Sequence, residues 1–181
     1  MGMRRIWFLA VLATSGLLGG CASIAHSSEA WSPYNQNFKQ DHQSHLIILR
    51  DAAKGQESGA VILATAKGML DEGEVILGSC WDFINTVFIR AGFKGPRLVS
   101  VFAQPYKGPF ADTAMIRAGD WVMYQNLSYG GVDHSAIFVA WIDFSRNRAL
   151  TVSYVGQNRR MPGRLFEYDL SRTYQILRPR D

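Results

Sequence analysis

The sequence lacks a hydrophobic run long enough to cross a bilayer, and it contains only two cysteines. Its one long hydrophobic run covers residues 6–20, and these 15 residues fall short of the roughly 20 that a spanning helix needs. Charged residues make up 19% of the chain and leave a formal charge of +4, which gives no indication of nucleic acid as a partner. The hydrophobic content of 48% is typical of one compact globular domain.

The run at residues 6–20 is typical of the hydrophobic region of a secretory signal peptide. Arg4 and Arg5 supply the positive start, and small residues close the run. The run ends in LGGC, which resembles the lipobox of bacterial lipoproteins, where the cysteine is acylated and the preceding peptide is removed. We therefore expect a signal peptide at residues 1–20 and a lipid on Cys21. The alternative is a plain signal peptide with a cleavage site near Cys21.

A lipid on Cys21 would anchor the protein to a membrane of the bacterial envelope, facing the periplasm. Ala22 resembles the residue at this position in lipoproteins exported to the outer membrane, which favours that membrane over the inner one. Cys80 is then left without a partner for an intramolecular disulfide, although the compartment is oxidising. It is either a small packing residue or a nucleophile, and composition alone leaves both open.

Residues 22–45 are rich in Ser, Asn, Gln and His and show no sustained apolar period. We interpret residues 21–45 as the lipidated cysteine and a tether, and residues 46–181 as the folded domain. Three histidines of the tether have no metal-ligand spacing and no cysteine or acidic cluster beside them: His26, His42 and His45. The sequence predicts no metal and no other cofactor.

Two apolar stretches between Leu46 and Leu70 are predicted to be helices, and a third helix is predicted to follow Ser79. Ser79 suits the N-cap, and Asp82 suits the first turn. A single apolar stripe along this third helix contains Cys80, Ile84, Val87, Phe88 and Ala91. Cys80 heads that stripe, as a packing residue would. The first turn also offers unpaired N–H groups and the positive end of the helix dipole, which favour a thiolate.

The second half of the chain changes to an apolar period of two, which predicts β-strands. The predicted strands are Trp121–Gln125, His134–Ile142, Ala149–Val155, Leu165–Tyr168 and Tyr174–Leu177. Helices followed by antiparallel strands predict an α+β fold, with the N-terminal helices packed on a sheet of about five strands. We interpret Gly119 and Asp120, just before the first of these strands, as a structural turn.

His134 is the only histidine of the predicted folded domain, and a cysteine nucleophile needs a base within reach. Ala136, the next residue on its strand face, would leave room for a helix end. If the following hairpin is centred at Arg146, Asn158 lies opposite His134, and a centre half a residue earlier places Gln157 there. Either carboxamide could fix the imidazole tautomer. The alternatives are a backbone carbonyl or water as the orienting group, or a histidine held by local hydrogen bonds with no catalytic role.

Three stretches, SCWDFINTVFIRAGF, IRAGDWVMY and DHSAIFVAWID, resemble in this order the blocks of the NlpC family of papain-like cell-wall cysteine peptidases. In that family a cysteine begins a helix with an aromatic residue three positions on, Gly-Asp opens a strand, and a histidine begins the next strand. The tail VSYVGQN is similar to the closing block of the related CHAP amidases, which ends in asparagine. The resemblance implies a papain-like fold with Cys80 as nucleophile, His134 as base and Asn158 as third member of the triad.

The chain departs from the family beside its cysteine. The family usually has Asp before the cysteine and Ser-Gly after it, whereas this chain has Ser79 before and Trp81-Asp82 after. The bulk of Trp81 leaves the specificity open. The resemblance implies a lipid-anchored hydrolase that cleaves amide bonds of peptidoglycan, within the stem peptide or between sugar and peptide. The alternative is a catalytically silent envelope lipoprotein that binds peptidoglycan or a protein partner.

From residue 141 onward the chain has eight arginines, no lysine and four acidic residues. Guanidinium groups there could bind carboxylates of the stem peptide. Arg159 and Arg160, next to Asn158, are the best candidates, and Trp81 is a third predicted substrate-binding residue. A solvated basic face is the alternative for the other arginines. The sequence leaves the oligomeric state open.

Overall fold

The computed structural model describes residues 33–55 and 57–180. The predicted signal peptide at residues 1–20, Cys21 and the first part of the predicted tether, with His26, lie outside the described residues. Among the helices of the described part, none combines the length and the apolar content needed to cross a membrane.

Three α-helices precede the sheet: α1 (Pro33–Ala52), α2 (Ser58–Asp71) and α3 (Cys80–Arg90). The helices predicted between Leu46 and Leu70 and after Ser79 are confirmed. The prediction of a tether is wrong from residue 33 onward, because α1 occupies that segment. Within it His45 is half-buried and its Nε2 lies 2.7 Å from Oε1 of Glu167, so this histidine contacts the sheet instead of solvent.

Six antiparallel strands form one sheet: β1 (Leu98–Ala103), β2 (Trp121–Asn126), β3 (Val132–Asp143), β4 (Arg148–Ser153), β5 (Arg164–Asp169) and β6 (Thr173–Pro179). Their order across the sheet is β1-β6-β2-β3-β4-β5. The predicted α+β class and all five predicted strands are confirmed. The strand that the sequence did not predict is β1, which forms from the short apolar run LVSVF and pairs with β6 at the sheet edge.

Short 3₁₀ turns interrupt the connections at Gly95–Arg97, Thr113–Met115, Leu127–Tyr129, Phe144–Arg146 and Gln157–Arg159. The last of these turns, Gln157–Arg159, is separated from the end of β4 by residues 154–156. It therefore places Gln157 and Asn158 beyond the end of the strand, where their backbone no longer belongs to the sheet ladder.

Each face of the sheet carries its own buried apolar cluster. The helices cover one face, where Phe83, Ile84 and Phe88 of α3 join Ile137 and Val139 of β3 in the first cluster. The opposite face carries the second cluster, whose buried members are Ala111, Ile116, Val122, Tyr124, Ala136, Phe138, Ala149, Tyr168, Leu170 and Ile176. The alternation along β3 thus follows the period of two that the sequence predicts.

A β-bulge between Phe138 and Ala140 reverses this alternation in the second half of β3. Beyond it Ala140 packs against the first cluster and Trp141 against the second. The period of two predicted for this strand is therefore confirmed up to Val139 and fails at Ala140 and Trp141, because the extra residue of the bulge turns the strand by half a repeat.

Gly119 and Asp120 form a structural turn before β2, as the sequence indicates. Gly119 has φ 84°, and a Cβ there would clash with Gly59 of α2. The buried carboxylate of Asp120 accepts hydrogen bonds from Nε and Nη2 of Arg178 at 2.8 and 2.7 Å. Burial raises the pKa of Asp120 and the Arg178 guanidinium opposes that rise. The pair joins the start of β2 to β6.

Candidate active site

Cys80 is the first residue of α3 and carries a free thiol. Cys80 is only partly buried. Three other members of its predicted apolar stripe are fully buried: Ile84, Val87 and Phe88. The thiol therefore stands where the apolar stripe meets the surface. This position gives the thiol the partial exposure that a nucleophile needs.

A capping interaction fixes the start of α3. Oδ2 of Asp82 accepts hydrogen bonds from the backbone N–H of Ser79 at 2.7 Å and from its Oγ at 2.8 Å. These bonds from Ser79 hold the pKa of the Asp82 carboxyl below its ordinary value. Ser79 and Asp82, which depart from the family pattern, thus build the helix N-terminus that presents Cys80.

Gln157 holds the loop that leads into Cys80. Its Oε1 accepts a hydrogen bond from the backbone N–H of Gly78 at 2.7 Å, and its own backbone N–H donates to the carbonyl of Gly78 at 2.9 Å. Gly78 has φ 118°, and a Cβ there would clash with the carboxylate of Asp82. Glycine is required at this position because no other residue combines that φ with so close an approach.

The imidazole of His134 lies near the start of β3, on the sheet face that carries the second cluster. Tyr124 and Tyr168 contact it edge-on, with ring centroids 5.6 and 5.4 Å away. Burial lowers the pKa of His134 to about 4, the neighbouring Asp133 carboxylate opposes this shift, and the Arg164 guanidinium adds to it. At neutral pH the ring is therefore uncharged and able to accept a proton.

A chain of hydroxyl groups runs from His134 into the second cluster. Nε2 of His134 lies 3.2 Å from Oγ of Ser153, and that Oγ lies 3.3 Å from Oη of Tyr168. Ser153 is fully buried and Tyr168 is 5% exposed. If Ser153 accepts from Nε2–H and donates to Tyr168, the tautomer is fixed and Nδ1 keeps its lone pair.

The predicted register of the β3–β4 hairpin is wrong. The pairs begin with Asp143 beside Arg148 and reach Ala136 beside Ser153, with one irregularity after Phe138 and another after Trp141. Each irregularity moves β4 by one residue relative to an unbroken hairpin. The hairpin is centred half a residue before Arg146, which excludes the pairing of His134 with Asn158, and the two irregularities then exclude the pairing with Gln157. Within the described residues its imidazole is hydrogen-bonded to Ser153.

One cavity of about 430 Å³ nonetheless brings together all four residues predicted to be catalytic. It lies where the N-terminal ends of α3 and β3 meet. Its lining consists of Gly78, Ser79, Cys80, Val132, Asp133, His134, Tyr154, Val155, Gly156, Gln157 and Asn158. Tyr154 is held in place by a hydrogen bond from its Oη to the carbonyl of Ile76 at 2.6 Å and by stacking on Phe83.

A second cavity of about 340 Å³ shares Val132, His134 and Val155 with the first. Its complete lining is Asn126, Tyr129, Val132, His134, Val155, Arg159, Met161, Arg164 and Tyr168. The imidazole of His134 therefore stands between two spaces, one containing Cys80 and one containing two arginines.

The predicted substrate-binding residues are not all in one place. Arg159 lines the second cavity, whereas Trp81 and Arg160 belong to the lining of neither cavity. Trp81 is 47% exposed and packs against Trp121, with ring centroids 5.4 Å apart. Arg160 is exposed, and with φ 51° it ends the turn that contains Gln157. Trp81 accordingly leaves the cavity of Cys80 open.

The sequence analysis missed Ser153, Tyr168 and Arg164 as residues of the site. A signal for Ser153 was present, since it is one of two short hydroxyl residues, with Thr151, within the largely apolar run LTVSY of a predicted strand. Such a buried hydroxyl needs a partner. The partner could not be identified without the register, and the register depended on the two irregularities of β3.

Comparisons of the chain with protein-family models, with curated proteins and with solved structures each found no match. Among the described residues, no group of three or more His, Cys, Asp or Glu side chains is arranged to hold a metal ion.

Proposed function

We propose that the protein is a papain-like cysteine hydrolase that cleaves amide bonds of peptidoglycan while anchored to the cell envelope through a lipid on Cys21. The observation that carries the proposal is the shared cavity of Cys80 and His134. A partly exposed thiol at a helix N-terminus and a neutral imidazole facing the same space are the two groups that thiol-dependent amide hydrolysis needs.

In the proposed reaction His134 takes the proton of the Cys80 thiol, and the sulfur attacks the carbonyl carbon of the scissile amide. The C–N bond breaks as the imidazolium returns its proton to the leaving amine, which leaves an acyl thioester on Cys80. Water, deprotonated by His134, then hydrolyses the thioester to a carboxylic acid and regenerates the thiol. The N–H groups of the first turn of α3 would stabilise the oxyanion.

Ser153 is the proposed positioning residue for the base, in place of Asn158. Its bond to Nε2 leaves Nδ1 as the nitrogen available to take the thiol proton, and Tyr168 holds the hydroxyl of Ser153 in turn. Gln157 is proposed to act on the nucleophile instead, through its two bonds to Gly78. Asn158 lines the cavity and is available to the substrate.

The packing of Trp81 favours a hydrolase over a catalytically silent binding protein. The silent alternative rests on the Trp81-Asp82 departure, since a bulky residue beside the cysteine could fill the groove. Trp81 instead packs on Trp121, and Asp82 caps α3. Neither change removes a group that the proposed reaction uses.

The test is the release of peptide or new amino groups from purified peptidoglycan by the wild-type protein and by Cys80→Ala. We expect the variant to lose at least on the order of 10³-fold in rate. It should keep its melting temperature to within a few degrees, since one sulfur at a helix end leaves a small gap. Binding to peptidoglycan without release by the wild type would support the silent alternative, and unfolding of the variant would assign Cys80 to the core.

A further inference from the structure

The second cavity shares the imidazole of His134 with the first but is not lined by Cys80, and the chemistry of its lining differs. Its charged lining residues are Arg159 and Arg164, and no carboxylate contributes to it. Asn126 and Tyr168 add polar atoms to the same lining. A cavity lined by two guanidinium groups and by neutral hydrogen-bonding groups fits an anion.

Among the described residues, Nε of Arg164 lacks the hydrogen-bond acceptor that such a donor normally has. This Nε is buried and has no hydrogen-bond partner within the described part of the chain, and Cζ of Arg164 lies 4.8 Å from the centre of the Phe166 ring. Two other arginines of the sheet differ in this respect, since Arg148 pairs with Glu167 and Arg178 pairs with Asp120. A buried donor without an acceptor is costly, and a ligand carboxylate would remove that cost.

We propose that Arg164 and Arg159 bind a carboxylate on the part of the substrate that leaves as the amine. The choice of the leaving amine as the part that carries the carboxylate follows from the proposed function, on which this inference rests. His134 gives its proton to the leaving nitrogen, so the leaving group must lie beside the imidazole. The second cavity continues from that point through Val132 and Val155, and a carboxylate in it would fix the leaving group against its proton donor.

Binding of the carboxylate would also act on the base. Arg164 helps to lower the pKa of His134, while Asp133 raises it and burial among Tyr124, Tyr168 and neighbouring groups lowers it. A carboxylate on Arg164 offsets the nearby positive charge, and the pKa of His134 rises as a result. The substrate thereby makes the imidazole a better proton acceptor from the Cys80 thiol.

The experiment uses the full-length Cys80→Ala protein, so that nothing is hydrolysed, and two probes that differ in one group. Acetyl-alanyl-alanine carries a terminal carboxylate, and acetyl-alanyl-alaninamide is its uncharged match. The pKa of His134 is followed by NMR titration at increasing concentrations of each probe. We expect the acid to bind and to raise the pKa of His134, and we expect the amide to do neither.

Arg164→Gln and Arg159→Gln should each weaken binding of the acid roughly tenfold or more, which is the usual effect of losing a hydrogen bond between charged groups. Arg159 is exposed on a turn, so its variant tests the site even if Arg164→Gln fails to fold. Arg172→Gln is the matched control, since this arginine lies over the Phe110 ring, away from the cavity, and its variant should bind as the parent does.

Equal binding of the two probes, no binding of either, or full retention of affinity in both arginine variants would overturn the inference. The proposed function fails differently, by an absence of release from peptidoglycan by the wild-type protein. The titration uses no turnover, so the two failures are distinguishable.

Discussion

Gln157 bonds both backbone polar groups of Gly78, two residues before Cys80: its Oε1 accepts from the Gly78 N–H at 2.7 Å, and its backbone N–H donates to the Gly78 carbonyl at 2.9 Å. The turn after β4 and the loop before α3 are thereby joined at the rim of the cavity. Gln157, which the sequence predicts as a partner of His134, is thus a partner of the loop that leads to Cys80.

Gln157→Ala should reduce turnover and lower stability together. The variant leaves the partly buried Gly78 N–H without its acceptor, which costs about 1–2 kcal/mol, and it frees the loop that sets the position of Cys80. Thermal unfolding and the rate of peptide release measure the two effects. Gln157→Glu keeps an acceptor oxygen at the same position and should restore most of both.

Asn158→Ala is the informative comparison for that variant. A triad with Asn158 as third member predicts a large fall in kcat from this change, whereas a site oriented by Ser153 predicts a mild effect through substrate binding alone. A loss in Asn158→Ala that exceeds the loss in Ser153→Ala would restore the triad implied by the family resemblance.

The sequence was a good guide to the helices and strands, because their signals are local. Ser79, Asp82 and the apolar stripe define α3 without reference to any other part of the chain. The period of two likewise marks β2 to β6. β1 carries the same apolar character, but it is an edge strand inside a connection that contains proline and glycine, and its assignment depends on pairing with β6.

The partner of His134 could not be predicted, because register is not a local property. Two irregularities between β3 and β4 together move the pairing by two residues. No residue of this hairpin indicates their positions in the sequence. The contact of His45 with the sheet could not be predicted for a related reason. The polar composition around His45 indicates a solvent-exposed segment, and its partner, the Glu167 carboxylate, belongs to a strand that is distant in the sequence.

Ser153→Ala should lower kcat roughly tenfold to hundredfold with little change in KM, because orientation of the imidazole matters most while the proton moves. Tyr168→Phe should have a smaller effect of the same kind, since Ser153 would keep its bond to Nε2. Steady-state kinetics on a soluble amide substrate separate kcat from KM. A rise in KM with unchanged kcat would place Ser153 outside the proton-transfer machinery.

Ser135→Ala is the matched control for Ser153→Ala. Ser135 is next to His134 in β3 and, like Ser153, is buried, but its Oγ has no hydrogen-bond partner within the described residues. Removing that hydroxyl should leave the rate unchanged and the melting temperature unchanged or raised. Comparable losses from both serine variants would mean that the packing of the strand, and not the bond to Nε2, determines the rate.

Cys21→Ser tests the proposed lipid anchor. Acylation requires the thiol, so the variant should be recovered in the soluble fraction or retain its leader, while the wild type stays with the membranes. Cell fractionation followed by mass measurement of the N-terminal peptide distinguishes these outcomes. Membrane recovery of Cys21→Ser equal to that of the wild type would remove the lipoprotein assignment without affecting the proposed site.

The depressed pKa of His134 predicts an unusual acid limit for activity. The imidazole acts as a base only when neutral, so kcat/KM should fall as the pH drops through about 4, instead of near the ordinary value of 6.5. The profile should be measured with a small uncharged substrate, since carboxylates of a larger one titrate in the same range. An acid limb near 6.5 would mean that His134 is far more solvated in solution than its packing against Tyr124 and Tyr168 implies.

The same shift predicts how stability depends on pH. Between about pH 4 and 6.5 the unfolded chain binds a proton at this histidine and the folded protein does not. Stability from the neutral ring is therefore fully present above pH 6.5 and is lost as the pH falls towards 4, by on the order of 2–3 kcal/mol. Denaturant unfolding of the wild type and of His134→Gln across this range measures the difference. The free energies of unfolding of the two proteins should converge as the pH falls, because the glutamine variant has no proton to bind at this position. Parallel pH profiles of the two proteins would show that His134 titrates alike in the folded and unfolded chains.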